Sequence, residues 1–286
     1  MFALIIMVDW SAAASPGPSR PRADRCWIAW AAGDAVSEPE YFRTRADCMA
    51  RIIALLRRHD GPACVGFDFP FGYPAGSGLG GGRDAARRIA RHLTSDDADQ
   101  NNRFAVAARL NAELSGGPGP FWGCPAAATS AHLSMTKPAF PVAGISEWRI
   151  AERFLKETHR RHSISSVWKL YTTGSVGSQA LTGLRELALL AATDDLAPRI
   201  RFWPFETAWE KALDGIILTE IWPSLYDHTA YDHPIRDARQ VLAARDSLLA
   251  EMAAGRAPQA FAAPSWLDAT AEALCRTEEG WILGVR

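Results

Sequence analysis

With 286 residues, 48% hydrophobic and 22% charged, the chain has the composition of an ordinary globular protein able to bury a full core. A net charge of -1 excludes a global field that would draw it to nucleic acid, so any polyanion contact must be a local patch. Its five cysteines, Cys26, Cys48, Cys64, Cys124 and Cys275, are scattered and never spaced as CxxC, which argues against a disulfide framework and a structural zinc site.

The chain opens on an apolar run, Met1 to Val8, that ends in Asp9. It lacks a positive n-region and meets an acid too early for a signal peptide, and no uninterrupted run elsewhere is long enough to cross a bilayer. A cytoplasmic location is the expectation. The run reads as a strand buried on both faces, and the Pro-rich turn 16–21 separates it from two further strands of a meander, Arg25 to Ala31 and Glu38 to Thr44. Asp47 to His59 reads as a helix, stopped by Asp60-Gly61-Pro62 before a second buried strand, Ala63 to Phe67, that ends in Asp68.

A long middle, from about residue 70 to 214, reads as insertions into one domain spanning residues 1–286, because no repeat or low-complexity linker divides it. It holds a helix with Arg83, Arg87 and Arg91 on one face and helical stretches at 104–114, 148–158 and 179–192. A strand is expected at 199–205. Gly215 to Thr219 reads as the next strand, ending in Glu220, and Ile235 to Ala254 as a helix. Asp268 opens the final helix, and Trp281 to Val285 closes the chain.

Acids at the carboxyl ends of buried strands stand where open α/β sheets bind ligands. Crowded carboxylates repel unless a cation neutralises them, so Asp9, Asp68, Glu220 and Asp268 together suggest a divalent-metal site. For Asp268 a helix N-cap is the commoner role. Gly76 to Gly81 satisfies GxGxxG but lies well past the end of its strand, so it reads as a flexible loop. The segment Thr173 to Gln179, with Ser175 and Ser178, precedes a helix and suits a substrate phosphate, although it lacks the GK[ST] of a P-loop. His228 and His233 read as members of a polar loop, and Trp122, Trp203, Trp209 and Trp222 as loop aromatics able to stack bases or to pack. No GxSxG elbow and no nucleophilic cysteine context is present.

Several short segments in one order carry a family resemblance: Val8-Asp9, Gly66-Phe67-Asp68-Phe69-Pro70-Phe71-Gly72, Gly82-Arg83-Asp84-Ala85-Ala86-Arg87, Trp168-Lys169, Thr219-Glu220-Ile221-Trp222-Pro223, Leu267-Asp268-Ala269 and Glu279-Gly280-Trp281-Ile282. The chain resembles the RNase H-like superfamily, and within it the predicted-nuclease branch known as the domain-of-unknown-function 429 family. The resemblance implies an α/β fold with a mixed five-stranded sheet flanked by helices, here with a large helical insertion between strands four and five. The first three strands would be antiparallel, with the fourth and fifth parallel to the first. It also implies Mg or Mn held by Asp9, Asp68, Glu220 and Asp268, and hydrolysis of a nucleic acid or small phosphodiester by two ions about 3.5 to 4 Å apart. Asp9 would bridge the ions, and Lys169, Arg83 and Arg87 would hold phosphate. Two alternatives share these strands: an ATP-dependent phosphotransferase of the actin or sugar-kinase type, using Asp9 and the Gly174 loop, and a non-catalytic binding protein.

Overall fold

The computed structural model describes residues 2–159 and 163–286; Met1, the first residue of the apolar start, lies outside the described residues. Numbered along the chain, the strands are β1 (Leu4–Asp9), β2 (Cys26–Ala32), β3 (Ala35–Val36), β4 (Glu40–Phe42), β5 (Ala63–Phe67), β6 (Ile200–Phe202) and β7 (Ile216–Glu220). They form one mixed seven-stranded sheet in the order β3-β2-β1-β5-β7-β6, with β4 also paired to β2. β1 and β2 are antiparallel, whereas β5, β7 and β6 follow β1 in parallel.

The apolar runs of β1, β5 and β7 are uninterrupted because both faces of the sheet are covered. On one face Leu4, Ile6, Val8, Val65, Phe67 and Leu218 pack in a core with Ile52 and Leu55 of α1 (Arg45–Arg58) and Ala85 and Ile89 of α2 (Gly82–Ala90). That core also takes Val106 and Leu110 of α3 (Arg103–Ser115). On the other face Ile5, Met7, Cys64 and Ile217 join Leu155 of α4 (Ile150–Thr158), while Leu181 and Leu184 of α5 (Gly177–Leu190) belong to the first core. Val241 and Leu248 of α6 (Arg236–Ala253), both ends of the short α7 (Ala257–Ala260) and Trp281 complete the second core. The chain ends through α8 (Ala269–Leu274), a π-helical turn at Cys275–Glu279, and a tail bridged to β7 at Glu220 and Ile282.

The sheet has two strands beyond the five expected from the resemblance. The meander strand expected over 38–44 shrinks to β4 with β3 as an extra hairpin arm, and β6, an edge strand, falls within the strand expected over 199–205. The glycine-rich loop departs from a flexible loop at its far end: a Cβ on Gly81 would sit 2.4 Å from the Glu278 carbonyl oxygen, and one on Gly72 would sit 2.2 Å from it. Only glycine lets these backbones meet. Trp203 and Trp209 are core rather than loop aromatics, at 0% and 3% exposure.

Arg149, 1% exposed, ties three distant segments together. Its guanidinium donates to both Glu220 carboxylate oxygens at 2.8 and 2.7 Å, to Glu152 at 3.0 Å and to the Glu279 carbonyl at 2.9 Å. Burial alone would lower its pKa, but Glu220 and Glu152 hold it above the usual arginine value. Removing one partner of a buried pair strands the other charge. Arg149→Met should therefore lose about 3–5 kcal/mol of stability in urea or thermal unfolding, and adding Glu220→Gln should cost less than the sum of the single losses. Additive losses would mean the two side chains do not act as one unit.

Candidate functional site

The parallel register of β1 and β5 pairs Leu4 with Ala63 and Val8 with Phe67, which leaves Asp9 and Asp68 as the next residues on neighbouring strands. Asp68 donates its backbone N–H to the Val8 carbonyl at 3.2 Å, so the two acids stand side by side where the strands end. Asp68 in turn accepts the Trp10 backbone N–H at 2.6 Å. Trp10 itself is fixed from α5: Gln179 donates to its carbonyl at 2.7 Å, and its indole donates to Thr182 at 3.3 Å. The loop after β1 is held by buried Arg45, which donates to the carbonyls of Ser11 and Ala13 at 3.1 and 2.7 Å.

Register also separates Glu220 from this pair. On β7 it is Glu220 that pairs with Phe67, and the residue level with Asp68 is Ile221, whose N–H bonds the Phe67 carbonyl at 2.8 Å. Because side chains alternate across a strand, a one-residue offset turns the acid to the other side of the pleat. There Glu220 binds Arg149 and accepts the Phe71 N–H at 3.2 Å. It borders the cleft, but its charge is already neutralised by the protein.

Asp9 and Asp68 open into a cleft of about 960 Å³ at the carboxyl ends of β1, β5 and β7. Its walls come from the turn after β1, the segment 170–179, the start of α6 and Arg103. Ser175 and Ser178 line it. The three cations expected to hold phosphate fall elsewhere: Arg83 is paired with Glu206 at 2.5 Å, and Lys169 donates to the Thr173 carbonyl at 2.9 Å. Neither residue lines the cleft, nor does Arg87, which is exposed on α2. Asp268 is an exposed N-cap that accepts the Ala271 N–H at 2.8 Å, on a separate groove beside Phe154 and Trp266. His233 packs edge-on against Trp27, as a loop residue.

An acid that the sequence does not single out is Asp237, in the first turn of α6. It lines the same cleft, accepts the Asp24 N–H at 2.8 Å and repels both Asp9 and Asp68. Asp24 completes this acidic wall. Arg103, equally inconspicuous in the sequence, supplies a cation.

Burial, then Asp68 and Asp237, pushes the Asp9 carboxyl well above its ordinary value. Burial is the main cause for Asp68 as well; against it works the Trp10 N–H, and with it Asp237, so that Asp68 rises to about 7. Asp237 is raised by burial, against the hydrogen bond it accepts from the Asp24 N–H. Among the described residues no three His, Cys, Asp or Glu side chains are gathered into a metal-ligand set, so the four-carboxylate cluster expected from the strand ends reduces to a contacting pair with Asp237 close by. As donors, the pair fits a hard cation: both are oxygen ligands, both are desolvated, and the charge of Asp68 disfavours that of Asp9.

Comparison of the chain with family models, with curated proteins and with solved structures returned no match.

The raised carboxyls set a direction for stability against pH. Unfolded Asp68 ionises near its ordinary value of about 4, whereas the folded group keeps its proton to about 7. With divalent ions chelated, the Asp68 contribution to stability should therefore be fully present below that lower value and be lost as pH rises through about 7. In thermal melts Asp68→Asn should flatten this slope, and Mn added above the upper value should raise the wild-type melting temperature. A slope identical in Asp68→Asn would contradict the assignment.

Proposed function

We propose that the chain is a metal-dependent phosphodiester hydrolase on an RNase H-like core, with Mg or Mn held by Asp9 and Asp68. The observation that carries this reading is the pairing of buried Asp9 with half-buried Asp68 at adjacent strand ends inside a cleft, with no ion pair to a protein cation among the described residues. The strand arrangement supports it: an antiparallel β1-β2 meander followed by strands parallel to β1 is the order that the resemblance implies.

Bound at these carboxylates, the ion would polarise a phosphoryl oxygen and lower the pKa of a water. The protein's own part is positional. The Trp10 N–H orients Asp68, Gln179 fixes the Trp10 carbonyl, and buried Arg45 holds the turn that carries Ser11. Asp237 is placed to receive a proton or to complete the oxygen set from α6. Glu220 serves as the partner of Arg149, and Asp268 as a helix cap.

A second reading, ATP-dependent phosphotransfer, draws on one feature: the segment 172–179 and the start of α5, which has no side-chain cap, line the same cleft as Asp9. One assay separates the two readings. Labelled single-stranded, double-stranded, hybrid and branched nucleic acids, with a chromogenic phosphodiester and ATP in parallel, are incubated with Mn or Mg. Cleavage should fall at least about 100-fold in Asp9→Asn and in Asp68→Asn, more than outer-shell changes cost. It should fall in Asp237→Asn too and persist in Asp268→Asn. ATP consumption without diester cleavage would favour the second reading, and cleavage undiminished in Asp9→Asn would sink the first.

A further inference from the structure

Among the described residues, Arg103 is the cleft-lining arginine left without an acid. Arg149 is paired with Glu220, Arg236 offsets Asp237, and Arg25 offsets Asp99. No described carboxylate lies within ion-pair distance of Arg103, and the charge it feels most is that of another arginine, Arg45. Desolvation, followed by Arg45, pushes its guanidinium down to about 10. A half-buried cation without a counter-charge is costly, and an incoming anion would remove that cost.

Its geometry is fixed in advance. Ser178 donates its hydroxyl to the Leu170 carbonyl at 2.6 Å and so presents a lone pair to Arg103 Nε–H at 3.0 Å. Asn101 Oδ1 accepts from Nη1 at 2.8 Å, and the guanidinium lies 4.5 Å from the centre of the Phe104 ring. Among the described residues no protein group accepts from Nη2. Ser178 thus acts as a positioning residue for Arg103. Beside this group stands Tyr171, which also lines the cleft, is 45% exposed and meets Phe104 edge-on at 6.2 Å.

An immobilised guanidinium with a free N–H edge binds phosphate, and an exposed ring next to it stacks a flat heterocycle. We propose that Arg103 and Tyr171 form a subsite for one nucleotide unit of the substrate, Arg103 taking its phosphate and Tyr171 its base. This rests on the reading of the cleft as a phosphodiester site and names the substrate class: a nucleotide, either free or at the end of a single strand. A duplex end, with its bases already stacked and paired, offers no free base to Tyr171.

Binding without turnover tests it. In chelator, calorimetric titration compares inorganic phosphate, adenosine, adenosine monophosphate and a 5′-phosphorylated dinucleotide. The monophosphate should bind more tightly than adenosine. Arg103→Met should weaken the monophosphate at least about tenfold, abolishing its advantage over adenosine, as expected for loss of charge-assisted hydrogen bonds. Tyr171→Ala should weaken adenosine and the monophosphate alike and leave inorganic phosphate unchanged. A dinucleotide tighter than the monophosphate would identify a strand end, and equal affinities a free nucleotide. Should Arg103→Met fail to fold, the wild-type protein decides: the monophosphate must slow phenylglyoxal modification of Arg103, mapped by mass spectrometry. Equal affinity for adenosine and its monophosphate, or no protection of Arg103, would overturn the subsite. Because neither readout needs cleavage, loss of the hydrolase reading and loss of this subsite are distinguishable.

Discussion

Everything at the cleft depends on the register between β1 and β5. One backbone hydrogen bond, from the Asp68 N–H to the Val8 carbonyl, sets two carboxylates side by side at the edge of a sheet that is apolar on both faces. Two desolvated acids in contact cannot both stay ionised without a counter-charge. Among the described residues no cation forms an ion pair with either acid: the nearby Arg149 is consumed by Glu220, one residue out of register and on the other side of the pleat, and by Glu152. The pair is thus left to hold a proton up to about pH 7 or, on the proposed reading, to take a cation from solution.

The surrounding structure keeps this pair rigid rather than merely enclosed. Trp10 couples Asp68 to α5 through its backbone, so the helix that carries Gln179 and Thr182 also sets the acid's orientation. Arg45, with Asp99, anchors the turn after β1 to the start of α1. From the far side, Arg149 gathers α4, the end of β7 and the π-helical turn into one buried ion cluster. Such a cluster joins segments far apart in sequence, and removing one partner strands the charge of the others. Here it brings the start of α4 against the tail of the chain.

Much of the scaffold is legible in the sequence because it rests on local signals. The apolar runs of β1, β5 and β7 and the helices α1 and α6 fall within a few residues of where periodicity and caps place them. That Asp9 and Asp68 each close a buried strand is legible too, since each follows a continuous apolar run. The remaining site is hidden by long-range geometry. Glu220 ends its strand just as Asp68 does, and only the register with β5 shows it to be offset by one residue. Asp237 reads locally as an ordinary first-turn acid, and nothing in the sequence says that α6 begins over the cleft. Asp268 carries the same local signature and is simply a cap. Arg103 opens α3 far along the chain from Asp9, whereas the more conspicuous arginine stripe of α2 is spent on Glu206 and solvent.

The central claim is that Asp9 and Asp68, rather than the wider set of strand-end and helix-cap acids, attract a divalent cation. Anomalous diffraction from crystals soaked in Mn tests it most directly. A Mn peak is expected within bonding distance of carboxylate oxygens of both Asp9 and Asp68, and it should disappear in Asp68→Asn. No peak at that pair, or a peak held instead by Glu220 or Asp268, would contradict it.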